Sequence, residues 1–486
     1  MLFNSIEFLF FFPIVTILYF LLPHRFRWFH LLIASCVFYC AFIPIYLLIL
    51  VFTIIVDYFA GILIEKNQGQ QRKLFLIISI CANVAVLAYF KYYNFFIDNF
   101  QVLFHYFHSS FPLSILKIIL PLGLSFHTFQ AMSYTIEVYR GNQKAERHFG
   151  IYALYVMFYP QLVAGPIERP QNLLHQFKEE HHFDYDMVTS GLKLMMWGLF
   201  KKVVIADNVS TFVDLVYHTP KNFSGLPLIV ATFFYAIQIY CDFSGYSDMA
   251  IGSARVMGFT LMKNFDRPYF SSNIGEAWRR WHISLSTWLR DYLYTPISLG
   301  VRQWGEWAIV FALIITFLIA GLWHGADWKF AFFGLLHGIA ISYESLTRRW
   351  RKRISKKIPL PVYTNVSILL TFIYWNFTLV FFRARSFSDA GYIVTHCLNK
   401  TFCYQLGHLV YGLSAVKVWF DPFDFIKLPL IILILLFMDI LQNYVSPVNF
   451  LSQKPSWQRW AVYYFFIVAI VTLGNFNNSK FIYFQF

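Results

Sequence analysis

The sequence predicts an all-α, polytopic membrane protein. Of its 486 residues, 58% are hydrophobic and only 13% are charged, whereas a soluble domain carries about 25% charged residues. The mean hydropathy is +0.53. Apolar runs of the roughly 20 residues that span a bilayer recur along the chain. Because these runs are continuous rather than alternating, they indicate helices rather than a β-barrel, the other architecture that lipid permits.

The apolar runs of spanning length predict about 11–13 membrane helices. In chain order they cover 5–22, 29–64 with a break near Pro44, 74–92, 113–138, 150–166, 190–206, 226–242, 306–322, 328–346, 364–382, 427–446 and 459–475. The first run lacks a basic flank and a small-residue cleavage site, so we interpret it as a retained span and not a signal peptide. Because the sequence has neither a soluble segment nor a long linker, we expect one integral membrane domain over residues 1–486.

The formal net charge of +14 is typical of proteins that bind nucleic acid, and also of membrane proteins with basic cytoplasmic loops. Here the basic residues cluster between apolar runs, at His24–Arg27, at Glu65–Lys73 and most densely at Arg348–Lys357. This distribution follows the positive-inside rule. We therefore place these three loops in the cytoplasm and the amino terminus outside, and we expect membrane lipid, not nucleic acid, as a partner.

The six cysteines are scattered, without a CxxC motif or the spacing of zinc ligands. We therefore expect no metal site. Cys397 and Cys403 follow the run 364–382, on the side predicted to be outside. A disulfide between them is possible in an oxidising compartment, although separate thiols are the favoured interpretation.

Three aspartates lie within or at the edge of apolar runs, where ionisable side chains usually face a partner or a cavity. For Asp57 we favour a polar contact between helices. Asp242 and Asp248 lie in YCDFSGYSDMAIG, beside two serines and a tyrosine. For this pair both a helix–helix clasp and a functional site stay open. The segment Gln161–Pro170 contains a Gly-Pro step that ends a helix, and a span terminator is favoured there over a pocket wall.

The segment 263–305 is too polar to span a membrane and too aromatic to be a free loop. Interpreted as one helix, Glu276–Tyr294 presents an apolar stripe at about 100° per residue, formed by Trp278, Trp281, Leu285, Trp288 and Tyr292. Arg279, Ser286 and Arg290 line one flank of the stripe, and His282 lies between the stripe and that flank. The pattern is typical of a helix in the membrane interface. Its arginines either reach lipid headgroups or line the entry of an anionic donor.

Two histidines lie in the apolar stretch AGLWHGADWKFAFFGLLHG, Ala320–Gly338. Both flanks of 306–346 are predicted to be cytoplasmic, so this segment forms a hairpin with His324 near its outer turn. If the following stretch is helical, His337 lies about 20 Å further along the axis and on another face, where we expect it to serve packing. A histidine can accept a proton from a hydroxyl near neutral pH. Such a base fits an acyltransferase, or a transporter with a proton relay.

Five segments resemble motifs of the membrane-bound O-acyltransferase (MBOAT) family, in the bacterial polysaccharide branch typified by alginate O-acetyltransferase. They follow one another in the family's order as Leu120–Gly141, Phe158–Pro170, Tyr240–Phe259, Asn264–Gly300 and Gly321–Gly338. The motif-bearing core covers about 113–346, and the helices over 364–475 match mainly in hydropathy. The resemblance implies the MBOAT fold, with membrane helices ringed around a central tunnel and with interfacial or re-entrant helices.

The resemblance also implies roles for particular residues. His324, in WHG, corresponds to the catalytic histidine that acts as a general base, and His282, in RWH, to the second histidine. The side chains implied to hold the donor or line the tunnel are Arg280, Arg290, Trp281, Trp323, Asp242 and Asp248. The expected donor is acetyl-CoA or another acyl thioester in the cytoplasm. Because a thioester is already activated, no bound cofactor is expected.

The resemblance further implies a multi-pass protein of the bacterial inner, or cytoplasmic, membrane. The implied acceptor is an extracellular or periplasmic polysaccharide such as alginate, reached with an SGNH-hydrolase-like acetyltransferase partner on the outer side. D-alanyl transfer to teichoic acid and O-acetylation of peptidoglycan stay open within the same fold. A polytopic transporter with a histidine proton relay is the alternative from another class.

Overall fold

The computed structural model describes residues 1–109, 111–117, 119–399, 422–441, 454–476 and 481–482. Within these ranges the secondary structure is helical, without a β-strand. The first helices are α1 (Ile6–Leu21), α2 (His24–Cys40), α3 (Leu47–Lys66), α4 (Gly69–Leu87), α5 (Tyr93–Tyr106), α6 (Leu124–Arg140), α7 (Phe149–Met157), α8 (Tyr159–Leu162), α9 (Pro170–Leu173), α10 (Tyr185–Leu199), α11 (Asp207–His218) and α12 (Leu226–Val256).

The helices that follow are α13 (Ile274–Arg280), α14 (Ile283–Leu289), α15 (Thr295–Gly300), α16 (Glu306–His324), α17 (Trp328–Leu346), α18 (Arg348–Ser355), α19 (Leu360–Arg383), α20 (Phe387–His396), α21 (Pro422–Leu441) and α22 (Ser456–Leu473). Segments with π-helical geometry occupy Ala88–Tyr92, Phe200–Ala206 and Arg290–Tyr294. Short 3₁₀ turns occupy Pro44–Tyr46, His175–Lys178, Pro220–Asn222, Pro268–Phe270 and Arg302–Trp304.

Within the described ranges, five continuous helical stretches are long and apolar enough to cross a membrane. They are Pro44–Lys66, Gly69–Tyr106, Leu226–Val256, Glu306–His324 and Leu360–Arg383. Each overlaps a predicted apolar run, and the break expected near Pro44 lies between α2 and α3. The prediction of an all-α membrane fold is therefore confirmed, while the number of membrane helices and their ring around a tunnel stay predictions.

Two predicted spans are not single helices. In the run 113–138, the helix begins only at Leu124. The run 150–166 breaks at Phe158 into α7 and α8, because Pro160 has no amide proton to donate to the carbonyl four residues earlier. Its residues are buried throughout. This segment therefore belongs to the interior of the protein and does not face lipid.

The described residues group into two compact units that interleave along the sequence. The first comprises Met1–Met195, Met249–Lys263 and Gly325–Asp327. Within it, Asp57 on α3 accepts hydrogen bonds from Ser79 Oγ at 2.6 Å and from Asn83 Nδ2 at 2.9 Å. Both donors lie on α4, so Asp57 makes the polar contact between helices that the sequence favours. One domain over residues 1–486 stays a prediction.

The second unit comprises Met196–Asp248, Asn264–His324 and Trp328–Phe486, and within its described residues α16 packs closely against α17. A Cβ on Gly321 would lie 2.1 Å from the Phe330 oxygen, and one on Gly334 would lie 2.0 Å from the Phe317 oxygen. No side chain fits at such distances, so the two helices approach closely only because both positions are glycine. This contact fixes the end of α16, where His324 lies.

Residue 118 of the predicted run 113–138 lies outside the described ranges, and two further sequence predictions also fall partly outside them. One is the disulfide considered between Cys397 and Cys403, which the structure does not test because Cys403 lies outside the described ranges. The Cys397 Sγ donates a hydrogen bond to the Val394 oxygen at 3.3 Å. The end of the predicted run 427–446 is the other, because α21 is described only to Leu441.

Candidate active site

His324 is the last residue of α16, and residues 325–327 connect it to α17. The helix has 19 residues, about 28 Å at 1.5 Å per residue, so His324 lies at the far end of a nearly full membrane span. Its side chain is nevertheless buried, with 5% exposure. The imidazole contacts the rings of Phe382 and Phe333, whose centroids lie 5.2 and 6.2 Å away. These rings form an apolar wall beside the imidazole.

The chain breaks at His282 and does not continue as one helix. Between the end of α13 at Arg280 and the start of α14 at Ile283, His282 adopts a left-handed φ of 43°. Residues other than glycine rarely do so, and the conformation costs about 1–3 kcal/mol. The prediction of one helix over Glu276–Tyr294 is therefore wrong. The His282 ring is fully buried against Phe243 of α12, with centroids 4.6 Å apart, and this tertiary contact outweighs the local helical preference.

The amphipathic pattern of this segment nevertheless identifies the buried side chains correctly. On both sides of the break the predicted stripe is buried, at Trp278, Trp281, Leu285, Trp288 and Tyr292. The two arginines of the polar flank, Arg279 and Arg290, are exposed. The break therefore reorients the backbone without exchanging the buried and exposed faces.

Trp323 brings the two predicted catalytic histidines together. Its ring centroid lies 5.0 Å from that of His324 and 5.9 Å from that of His282. The indole is itself buried. Two imidazoles from separate elements, the end of α16 and the turn before α14, thus lie around one ring. Such a pair can present a proton acceptor and a hydrogen-bond donor to one small reacting group.

Trp281, predicted to line the tunnel or hold the donor, packs in an aromatic core of the second unit. Its ring centroid lies 5.1 Å from Phe265, 5.4 Å from Trp375 and 6.1 Å from Tyr269. The neighbouring His282 faces Phe243 instead. Trp281 therefore anchors the turn beside His282, and its contact with a donor stays a prediction.

The predicted donor-binding arginines lie nearer the surface than the histidines. Arg280 forms an ion pair with Glu276 at 2.6 Å, and Arg290 pairs with Asp291 at 2.8 Å. Burial raises the pKa of Glu276, but hydrogen bonds from Ser272 and the charge of Arg280 together leave that pKa below its ordinary value. Glu276 is therefore ionised at neutral pH. The Arg290 side chain is 61% exposed, which leaves it accessible to an anionic molecule at the surface.

Asp242 and Asp248 each form an ion pair with a buried lysine. Lys202 Nζ lies 2.7 Å from Asp242 and 2.8 Å from Asp207. Lys201 Nζ lies 2.7 Å from Asp248. Of the two interpretations left open by the sequence, these contacts favour the clasp between elements. A role of the two aspartates in lining a tunnel stays a prediction.

Lys201 and Lys202 are not among the site residues predicted from the sequence. They lie in the π-helical segment Phe200–Ala206, inside the predicted run 190–206. Two adjacent lysines within an apolar run are as informative as the aspartates, because a charged side chain of either sign needs a partner in an apolar setting. The feature was therefore present in the sequence.

Two residues near the carboxyl terminus also reach the surroundings of His282. Ile482 N donates to Asp242 Oδ2 at 2.7 Å. The Phe481 ring lies 5.9 Å from that of Phe243, which packs on His282. Only hydropathy marks this segment in the sequence, so its position depends on the tertiary structure.

Comparison with known proteins decides the family. The family model described as MBOAT, membrane-bound O-acyltransferase family, matches residues 148–387, a range that includes both histidines. The chain is 38% identical over 427 residues to the peptidoglycan O-acetyltransferase of Helicobacter pylori. The aligned region covers 80% of this chain and 78% of that protein. The chain belongs to the membrane-bound O-acyltransferase family.

Two further relatives have other acceptors in their names. The "Probable alginate O-acetylase AlgI" of Azotobacter vinelandii is 39% identical over 395 residues, which cover 80% of this chain and 76% of that protein. The teichoic acid D-alanyltransferase of Bacillus subtilis is 26% identical over 277 residues, which cover 55% of this chain and 69% of that protein. The resemblance is confirmed, and the chain is a multi-pass membrane enzyme of the O-acyltransferase class.

In this acyltransferase His337 is fully buried among aromatic rings. The centroids nearest to its own are those of Phe333 at 4.6 Å, Trp375 at 5.1 Å and Trp278 at 5.3 Å. These contacts agree with the packing role predicted for His337. The predicted separation of about 20 Å from His324 is wrong, because the Phe333 ring contacts both histidines. That prediction assumed one continuous helix, whereas the chain reverses at 325–327.

Replacing His282 by glycine should leave the acyltransferase more stable than replacing it by alanine. Both changes remove the buried ring, but glycine adopts a left-handed backbone freely, whereas alanine there costs about 1–2 kcal/mol. We expect a higher midpoint of thermal unfolding for the purified glycine variant in detergent. The opposite order would mean that the backbone at this position is not strained.

Proposed function

We propose that this acyltransferase moves an acetyl group from cytoplasmic acetyl-CoA across the bacterial inner membrane to hydroxyl groups of an extracytoplasmic polysaccharide such as alginate. The observation that supports it most is the meeting of His282 and His324 at Trp323. Buried between aromatic rings, the two imidazoles are suited to acid–base chemistry on a small group away from bulk water.

The acetyl group is favoured by the names of the relatives. The two O-acetylating relatives are 38% and 39% identical to this chain and each cover 80% of it. The D-alanyltransferase is 26% identical over 55% of the chain. Acetyl is therefore the first choice for the transferred group, and D-alanyl the alternative.

In the proposed reaction, an unprotonated ring nitrogen of His324 accepts the proton of the acceptor hydroxyl while the hydroxyl oxygen attacks the thioester carbonyl carbon. A carbon–oxygen bond forms and the carbon–sulfur bond breaks. The leaving CoA thiolate takes the proton from His324. His282 donates a hydrogen bond to the carbonyl oxygen, on which negative charge develops. The surrounding aromatic rings limit the access of water, which would hydrolyse the thioester.

We assign donor binding to Arg280 and Arg290, which can pair with the phosphates of CoA, and to the aromatic side chains of Trp281 and Trp323. The thioester is the only activated group that the reaction requires, so the proposal includes no bound cofactor. On the outer side we propose an SGNH-hydrolase-like partner that passes the acetyl group on to the polymer. A protein that crosses the membrane several times can contact an anionic donor on one side and a polymer on the other.

O-acetylation of peptidoglycan is the second candidate. It is favoured by the Helicobacter pylori relative, which is named for that reaction and is 38% identical over 80% of this chain, as similar as the alginate O-acetylase at 39% over 80%. Peptidoglycan and alginate both offer hydroxyl groups outside the membrane, so the same transfer chemistry serves either acceptor.

The proposal is tested with inverted native membrane vesicles, whose cytoplasmic face is accessible to added acetyl-CoA labelled in the acetyl group. We expect label in polysaccharide or partner protein inside the vesicles, and one free CoA thiol for each acetyl group transferred. Vesicles with the His324→Ala protein serve as the control. Enzymatic digestion of the labelled product distinguishes alginate from peptidoglycan.

Two outcomes would contradict the proposal. Polysaccharide movement across the membrane without release of CoA would favour the transporter. Labelling from D-alanine but not from acetyl-CoA would show that the transferred group is D-alanyl.

A further inference from the structure

The left-handed turn at His282 leads directly into α14, whose first amide groups have no partner inside the helix. They include the amides of Ile283 and Ser284. The side chain of the residue before a helix often accepts one of these hydrogen bonds. The His282 ring does not, because it is turned onto Phe243. The turn therefore depends on acceptors from another part of the chain.

Asn264, in the loop between α12 and α13, provides these acceptors. Ile283 N donates to the Asn264 backbone oxygen at 2.9 Å, and Ser284 N donates to Asn264 Oδ1 at 3.2 Å. The Ser284 hydroxyl also donates to Asn264 Oδ1, at 3.0 Å. Asn264 is 1% exposed and Ser284 is fully buried. Bulk water is therefore kept from replacing these bonds.

The other end of the Asn264 amide reaches α12. Its Nδ2 donates to Ser247 Oγ at 3.1 Å, and Ser247 is also buried. Phe243, on which the His282 ring packs, precedes Ser247 by one helical turn and therefore lies on the same face of α12. One face of α12 thus stabilises the turn at His282 through two contacts. Phe243 packs on the imidazole ring, and Ser247 accepts a hydrogen bond from Asn264, which in turn accepts from the backbone amides after His282.

We infer that Asn264 is a positioning residue for acyl transfer, which fixes the backbone turn that directs His282 towards Trp323 and His324. The inference rests on the function proposed for this site. Asparagine suits the position because its amide provides an acceptor and a donor at the same time. Aspartate keeps the acceptor, and leucine, of similar size, provides neither group.

The test compares Asn264→Leu and Asn264→Asp in cells that carry only the variant enzyme. The measurement is base-labile acetate on the cell surface, divided by the amount of folded enzyme in the membrane. Asn264→Leu should lower this ratio roughly tenfold or more, because a small displacement of a catalytic group is costly. Asn264→Asp should recover most of the activity, since the Ser247 hydroxyl can rotate and donate to the carboxylate.

Thr287→Val is the matched control, because the Thr287 hydroxyl donates to the Ile283 oxygen within α14. Its activity should equal that of the native enzyme. Native activity in Asn264→Leu, or an equal loss in both Asn264 variants, would overturn the inference. If neither variant reaches the membrane, Ser284→Ala decides, since it removes only the hydroxyl bond to Asn264. A roughly threefold or greater loss is then expected, and no loss overturns the inference.

The double variant Asn264→Leu/His282→Gln distinguishes a failure of the positioning role of Asn264 from a failure of the role proposed for His282. If Asn264 acts through the imidazole, its replacement should add little to the loss caused by His282→Gln. Losses that multiply would overturn the positioning role and leave the role of His282 intact. Full activity of His282→Gln alone would instead contradict the proposed role of His282, and the inference would fail with it.

Discussion

His324→Ala should abolish acyl transfer while the enzyme still accumulates in the membrane. A positioned base contributes about a hundredfold to ten-thousandfold to a rate. The imidazole lies against Phe382 and Phe333 with 5% exposure, so bulk water is a poor substitute for it. The measurement is the base-labile acetate of the surface polymer in cells that carry only this variant, relative to the membrane level of the enzyme.

His337→Gln is the control for this experiment. His337 is also a buried histidine of the same hairpin, and it contacts the same Phe333 ring. Because we assign it to packing, acetylation should persist in this variant. Normal acetylation by His324→Ala would exclude His324 as the base. Equal losses in both variants would indicate that the aromatic core, and not one proton acceptor, supports activity.

Replacing Lys202 by methionine is expected to prevent the enzyme from accumulating. Lys202 lies within 2.8 Å of both Asp242 and Asp207, and all three are between 2% and 4% exposed. Without the lysine, two buried carboxylates lose a counter-charge, at a cost of about 3–5 kcal/mol. Total stabilities are only about 5–15 kcal/mol. The membrane level and the midpoint of thermal unfolding in detergent measure the effect.

Asp248→Asn provides the comparison for the lysine variant. Its ion pair with Lys201 is more accessible, since the Asp248 side chain is 23% exposed. Lys201 also donates to Ser244 Oγ at 2.8 Å. The loss of stability should therefore be clearly smaller. A Lys202→Met enzyme that accumulates normally but is inactive would place Asp242 in the chemistry and contradict its assignment to a structural clasp.

Several features could be predicted from the sequence because they depend on local composition and period. Long continuous apolar runs identify helices such as α16, α17 and α19, since such a run satisfies its own backbone hydrogen bonds in lipid as a helix. A stripe at helical spacing identified the buried residues around Trp281, and an aspartate in an apolar run required a partner, as Asp57 has. The family motifs pointed to His324 and His282, which the fold then brings to one tryptophan.

Other features depend on contacts between distant parts of the chain, and local patterns do not show which residues make these contacts. The sequence around His282 favours a continuous helix, but packing on Phe243 and hydrogen bonds to Asn264 stabilise a left-handed turn. Likewise, the partner of Asp242 could not be inferred from its neighbours, because Lys202 comes from another helical segment.

By itself, therefore, the sequence determined the all-α class, the buried face of the segment around Trp281 and, through the family motifs, which histidines are candidates for catalysis. Only the tertiary structure decided where the helix breaks, which charges pair and how closely the histidines approach. The physical reason is that hydropathy and helical period act between near neighbours. A buried ring, amide or charge, in contrast, is satisfied by whichever group the fold brings within a few ångströms.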